Sequence, residues 1–261
     1  MADPLILSET VGAAAVLRIN RPAALNAIDI ATLRAFGAAF AAAEADAAVR
    51  VIVITGAGEK AFVAGGDIGD LARRQGLAHY QEFAEDIHNV FSRVEACDKP
   101  TIAAVNGFAL GGGTELLLCT DLRLLADNAR LGLPEITLGL FPGAGGTQRL
   151  IREIAPCRAR EMMFTGEPVS AAEAVALGLA NRVVPKAELM AETLKLAERI
   201  AAKSPLTLRL LKRTLRHGSQ MALPQALAHE QAMIGLVLDS DDAHEGCRAF
   251  LEKRPAQFAG R

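Results

Sequence analysis

Two glutamates stand where acids are uncommon. Glu115 follows Gly111-Gly112-Gly113-Thr114, and Glu135 sits between Pro134 and Ile136 in a segment that is otherwise almost wholly apolar from Leu131 to Pro142. A carboxyl facing a dry pocket holds its proton to higher pH and becomes competent to move protons. The plainer roles stay open at this level: Glu115 also suits the first turn of a helix, and Glu135 also suits solvent. Both lie among glycine-rich segments that could supply a partner chemistry. Lys60-Ala61-Phe62-Val63-Ala64-Gly65-Gly66-Asp67-Ile68 follows one strand-like run, and Asn106 to Leu116 follows another. A third, Pro134 to Thr147, contains Pro142-Gly143-Ala144-Gly145-Gly146. A helix that starts on a glycine triplet offers backbone N–H groups with no intrahelical acceptor and the positive end of its dipole. An anion or a developing oxyanion is its natural occupant. Ala64-Gly65-Gly66 offers a second donor, and two donors converging on one oxygen form an oxyanion hole. Two carboxylates beside such a hole suit proton removal, or water addition, next to a carbonyl. Taken singly, each glycine cluster also reads as a tight strand-to-helix turn.

Other chemistries find little support. There is no GxGxxG, no phosphate-binding P-loop and no GxSxG elbow. His79, His88, His217, His229 and His244 are far apart in sequence and show no HExxH spacing. Cys97, Cys119, Cys157 and Cys247 form no CxxC pair, so neither a zinc site nor a disulfide framework is expected, and a reducing compartment fits them.

The elements that must position these residues can be read from the pattern. Val16 to Ile19, Val51 to Thr55, Thr101 to Val105 and, more weakly, Leu122 to Leu125 have the length and composition of buried strands. Between the first two, Asp29 caps a helix with Ile30, Leu33, Phe36 or Gly37, and Phe40 on its apolar face. This alternation predicts an α/β fold with mostly parallel sheets. From about residue 170 the reading is helical with no strand signal. Ser170 and Glu173 form a capping box, Glu188 to Lys203 reads as a helix, Ser204-Pro205 opens another that Gly218 closes, and Pro224 and Ser240 open two more. At 261 residues, 51% hydrophobic and 22% charged, the chain can bury a sizeable core. Its net charge of −2 and 4% aromatic content argue against a nucleic-acid surface. No apolar run reaches the roughly 18 residues of a membrane span, and Met1-Ala2-Asp3-Pro4 lacks the basic start of a secretory signal, so a cytoplasmic protein is expected.

In combination these segments resemble the enoyl-CoA hydratase/isomerase (crotonase) family, and within it the enoyl-CoA hydratases. The match runs from about Val16 to Phe258. It includes Asn20-Arg21-Pro22, Leu25-Asn26-Ala27, Lys60 to Ile68, Gly111 to Leu116, Pro134-Glu135, Pro142 to Leu150 and Phe250-Leu251-Glu252-Lys253-Arg254. The resemblance implies a right-handed spiral of ββα units over residues 1–195 and a helical trimerisation region over 196–261, assembled as a homotrimer or a hexamer of paired trimers. It implies an acyl-CoA thioester as substrate, with coenzyme A part of that substrate, no separate cofactor and no metal. Residue by residue, it implies that Ala64 and Gly112 N–H groups hold the thioester oxygen, that Glu115 and Glu135 are the catalytic acids, and that Gly143 helps to place the water. It lays Lys60, Ala61, Phe62, Ala64, Gly65, Gly66, Asp67, Ile68 and Gly111 along the coenzyme A moiety. It lets Lys253, from a neighbouring subunit, meet the phosphates. The stretch from Asp70 to Phe91 is expected to include a wall of the acyl pocket.

Gly66 stands where alanine is common in the family, and Thr114 where cysteine is common, which bears on chain-length preference rather than on the acids. Isomerases of the family generally keep one glutamate, whereas this chain has both. An isomerase, an acyl-CoA lyase and a non-catalytic RNA-binding member are the competing readings. The last draws on Arg209, Lys212, Arg213 and Arg216 opposite Leu208, Leu211 and Leu215. Within the glycine triplet, Gly113 is expected to tolerate a Cβ because it lies inside the helix.

Overall fold

The short apolar runs become the middle of a six-stranded sheet in the computed structural model, which describes residues 3–73 and 76–261. Its order is β1 (Ile6–Val11), β2 (Ala14–Ile19), β3 (Val51–Gly56), β5 (Thr101–Val105), β7 (Leu122–Ala126) and β10 (Arg182–Val184). Only β1 and β2 are antiparallel; each later pair is parallel. After β3, β5 and β7 the chain steps into a second sheet, as β4 (Ala61–Val63), β6 (Phe108–Leu110) and β8 (Arg130–Gly132). β9 (Val169–Ser170) closes that sheet antiparallel to β8. The two sheets advance together, strand by strand, which is a coil of repeated two-strand turns.

Helices α1 (Ile30–Ala45), α2 (Ile68–Arg73), α3 (Leu77–His79), α4 (Asp86–Ala96), α5 (Gly112–Leu117), α6 (Gly146–Glu153), α7 (Pro156–Thr165) and α8 (Ala171–Ala176) fill the connections. They are followed by α9 (Leu189–Ala201), α10 (Pro205–Gly218), α11 (Leu223–Leu238) and α12 (Asp241–Leu251). The expected caps are made: Asp29 accepts from Thr32 N at 2.7 Å, Ser170 from Glu173 N at 3.2 Å and Ser204 from Thr207 N at 3.1 Å. A cap of this kind is worth about 1 kcal/mol. α1 buries Leu33, Phe36 and Phe40 as its pattern requires, each contributing about 1.5–3 kcal/mol.

Period-two alternation divides the core. Ile52, Ile54, Ala103 and Val105 face the interior of the coil, with Phe62, Leu116 and Leu131. Val51, Val53, Ile102 and Ala104 face the other way and are covered by Leu189 and Ala197 of α9. Both faces of the middle strands β2, β3, β5 and β7 are therefore dry, as parallel strands require.

One expectation about strands fails, and β1 and the four short strands of the small sheet go unread in the sequence. β1 was not anticipated, because Ile6–Val11 carries polar residues on an edge and is largely exposed. The expectation that no strand follows residue 170 is overturned by β10, a three-residue strand whose Arg182 and Val183 are exposed and which pairs only with β7. So short a run carries no periodicity to read. The small sheet has one irregularity: Ala61 pairs with Phe108 and Val63 with Ala109, so β4 spends two residues where β6 spends one.

The basic face of α10 is partly spent on docking. Lys212 meets Asp121 at 2.6 Å and Arg213 meets Asp98 at 2.6 Å. Among the described residues no helix is long and apolar enough to cross a membrane.

Candidate active site

Glu115 lies in the first turn of α5, and α5 starts hard against β4. A Cβ on Gly113 would sit 2.0 Å from the Val63 carbonyl oxygen. Only glycine permits this crossing, so the expectation that Gly113 would tolerate a side chain is wrong: helical φ is not the constraint, the neighbouring strand is. The crossing pulls Glu115 into the core, where it is 3% exposed. Its Oε1 accepts from Ala144 N at 2.7 Å and Gly146 N at 2.8 Å. Its Oε2 makes no hydrogen bond among the described residues. Burial pushes the Glu115 carboxyl up to about 7; the Gly146 N–H pulls against this, Glu135 adds to it, and the Ala144 N–H and Arg149 oppose it.

Glu135 lies in the 3-10 turn Pro134–Leu138 that follows β8. Its Oε2 is buried without a hydrogen-bond partner among the described residues. Burial raises its pKa as well. An orphaned carboxylate oxygen is costly unless something is bound there. The Oε1 lies 2.7 Å from where a Cβ on Gly111 would be, so Glu135 reaches the start of α5. Gly111 itself is tied to Gly132 by a 2.9 Å backbone bond, and Thr114 Oγ1 joins Ala109 O and Gly132 N at 2.6 and 3.1 Å. The two acids are thus brought together across the start of one short helix.

The donor assigned to Ala64 must be corrected. Ala64 N–H is already given to Leu25 O at 3.1 Å. In the same turn, Gly65 O and Asp67 N are bonded to Ile28. The Gly66 N–H points to no acceptor among the described residues, and its nitrogen lies 3.8 Å from where a Cβ on Gly112 would be. Gly112, first residue of α5, has no intrahelical acceptor for its own N–H. Gly66 and Gly112 therefore replace Ala64 and Gly112 as the facing pair.

The loop before α1 fixes this turn, through residues to which the sequence alone assigned no role. Asn26, fully buried at φ +58, donates to Ala57 O at 2.9 Å and Ala61 O at 2.8 Å. Arg21 pairs with Asp67 at 2.9 Å. Asp67 is thereby engaged with the protein, and Arg21 holds its carboxyl below the usual range. Asn in a left-handed position and an Arg-Pro before it were the available signals.

The remaining expected residues fall in three groups. Ala61 and Phe62 are 2% and 0% exposed, so their side chains belong to the core and only their backbone could meet a ligand. Lys60, Ile68 and Gly143 are exposed. Gly143 donates to nothing among the described residues, whereas its neighbour Ala144 holds Glu115. Lys253 is exposed in the turn after α12, and no hydrogen bond or ion pair joins it to these segments among the described residues. Of the 70–91 stretch, residues 74 and 75 lie outside the described residues. A cavity of about 720 Å³ opens elsewhere, between α10 and the end of α5, and is lined by none of the expected catalytic or substrate-binding residues.

The model of one protein family, Enoyl-CoA hydratase/isomerase, matches residues 9–261. The chain belongs to the enoyl-CoA hydratase/isomerase family. It is 44% identical over 261 residues, all of both chains, to a crotonyl-CoA hydratase of Syntrophomonas wolfei. It is 40% identical to a short-chain-enoyl-CoA hydratase of Clostridium acetobutylicum, covering 95% of each. Its fold is similar to that of an enoyl-CoA hydratase from Bacillus anthracis, with a TM-score of 0.95 at 38% identity, over 98% of this chain and 100% of that one. The crotonase fold expected for this family is the coil described above.

Proposed function

We propose that this protein is an enoyl-CoA hydratase, adding water across the 2,3 double bond of trans-2-enoyl-CoA thioesters to give 3-hydroxyacyl-CoA. The observation that carries the reading is the pair of buried glutamates: Glu115 aimed by two backbone N–H groups, and Glu135 with an orphaned oxygen. The thioester oxygen sits between Gly66 N–H and Gly112 N–H. Charge drawn to that oxygen makes carbon 3 electrophilic, and one such donor contributes roughly 2.7–4 kcal/mol. Glu115 Oε2 takes a proton from the water as it attacks carbon 3, protonated Glu135 delivers one to carbon 2, and the proton gained by Glu115 passes back to Glu135 before the next turnover. The Gly143 N–H helps to place that water. Coenzyme A is part of the substrate, and no further cofactor is called for, because the thioester carbonyl is its own electron sink.

Lys60, Gly65 and Ile68 line the path of the coenzyme A moiety, with Lys253 of a neighbouring copy at its phosphates. Assembly in threes fits α11, which has no buried residue and exposes Leu223, Leu227 and Ile234. Free cysteines fit a cytoplasmic setting. The test is loss of conjugated-thioester absorbance with crotonyl-CoA and a series of longer enoyl-CoAs. Hydration of crotonyl-CoA supports the reading. Double-bond migration without hydration would replace it with an isomerase.

A further inference from the structure

We propose that Arg149, held from behind by Glu95, is a positioning residue for Glu115: it braces the loop that aims the carboxylate, and its charge is the one Glu115 faces from that side. The proposal rests on the reading of the site as a hydration site. Arg149 lies on α6, and its side chain is mostly buried. Its Nη1 donates to Ala144 O at 3.2 Å, while Nη2 and Nε donate to Glu95 Oε2 at 2.7 and 3.2 Å. Ala144 therefore works in both directions, its N–H holding Glu115 and its carbonyl held by Arg149. The guanidinium passes over Gly145, where φ is +107° and a Cβ would lie 1.9 Å from Nη1. Glycine is the residue that permits both the backbone angle and the passage. Glu95 comes from the last turn of α4, so the brace ties a distant helix to the loop that orients the acid.

The charges around this brace can be named. Glu115 faces Glu135 from the 3-10 turn and Arg149 from α6. Arg149 in turn faces Glu95 from α4, Glu115 from α5 and Cys119 from the turn just after α5. Burial works against the charge of Arg149, and its hydrogen bonds to Glu95 together with the surrounding negative charges, Glu95 and Glu115 among them, more than restore it. Burial pushes the Cys119 thiol up to about 12, so it is neutral at working pH. Removing the Arg149 charge deprives ionised Glu115 of an attraction, so Glu115 keeps its proton to higher pH. Removing the Glu95 charge strips away the counter-charge of Arg149, so Glu115 releases its proton at lower pH. A purely structural brace would not give opposite signs.

The experiment compares Arg149→Met, Arg149→Lys and Glu95→Gln with the parent. The protonation midpoint of Glu115 is read by infrared difference titration, assigned with Glu115→Gln, and kcat and KM are measured for crotonyl-CoA. The midpoint is expected to rise in Arg149→Met, to fall in Glu95→Gln and to return towards the parent in Arg149→Lys. The kcat of Arg149→Met is expected to drop about 10- to 100-fold with KM little changed, since the loop loses its brace. Midpoints that stay put, or move in the same direction in the Met and Gln variants, overturn the proposal. If Arg149→Met does not fold, Glu95→Gln decides alone, and a midpoint that fails to fall overturns it. A parent that hydrates no enoyl-CoA would remove the hydratase reading, while the infrared midpoints would still decide the role of Arg149.

Discussion

The start of α5 and the helices α10–α12 follow opposite rules. Around Glu115 nearly every polar group has an assigned partner and nearly every side chain is buried; among the described residues the exceptions are Glu115 Oε2, the orphaned Glu135 oxygen and the free Gly66, Gly112 and Gly143 N–H groups. On the last helices apolar side chains are left outside. Leu215 is 65% exposed, Leu238 64%, Phe250 83% and Leu251 80%. Unsatisfied polar groups in a dry core call for a ligand, and unsatisfied apolar groups on a surface call for a protein. On the proposed reading the first region awaits only its substrate, and the second awaits another copy of the chain.

The largest expected effect lies in the first region. Glu115→Gln and Glu135→Gln should each lower kcat by about 10² or more in folded protein. The double variant should cost less than the product, because in the proposed reaction the two act on one water. A single variant that hydrates crotonyl-CoA normally would break the comparison at its root. Next comes Gly113→Ala, which drives a Cβ towards Val63 O. It should destabilise the fold by about 3 kcal/mol or leave it insoluble. Gly112→Ala, whose Cβ has its nearest neighbours at 3.8 Å, should fold and lose activity instead. Denaturant midpoints separate the two outcomes.

A third prediction concerns pH. The Glu115 pKa is raised from 4.5 to about 7. The folded state therefore binds the proton more tightly than the unfolded chain. Stability from this group is full below about pH 4.5 and is lost as pH rises through 7, a loss of about 3 kcal/mol at most. The stability of Glu115→Gln relative to the parent should accordingly grow between pH 5 and pH 8, as read by thermal melts across that range. A gap independent of pH would mean that Glu115 is not buried as described. The smallest effect on the single chain is expected from Leu227→Glu with Ile234→Glu on α11. These exposed positions should change monomer stability by less than about 1 kcal/mol. Light scattering should show the parent as a trimer or a multiple of three, and this variant as smaller species. A parent that is monomeric at micromolar concentration would show that the apolar faces of α10–α12 have some other use.

Both acids, the glycine triplet and the caps at Asp29, Ser170 and Ser204 were legible in the sequence, because each is a local arrangement of residue types. What was not legible depends on partners distant in the chain. Ala64 and Gly66 look equally free until Leu25, 39 positions earlier, takes the Ala64 N–H. Gly113 looks tolerant until β4 is seen to cross it. Arg149 reads as one more helix charge until Glu95 and Ala144 are brought to its two ends. The strands β1 and β10 escaped for another reason: edge strands need no apolar alternation, so they leave no pattern.

The extra residue in β4 has a consequence for how this site can vary. Between Ala61 and Val63 the strand is one residue longer than the partner stretch of β6, and the turn that presents the Gly66 N–H follows directly. In a strand, adding or removing one residue turns everything downstream to the opposite face. The proposed hole is built from main-chain groups, so its orientation depends on an odd or even count rather than on which side chains stand there. Exchanging Phe62 for another large apolar residue should have little effect on the proposed hole, whereas deleting it should regularise the ladder and turn the Gly66 N–H away. A mutational library across 61–66 should therefore accept many substitutions and reject single-residue insertions and deletions, a signature of parity rather than chemistry.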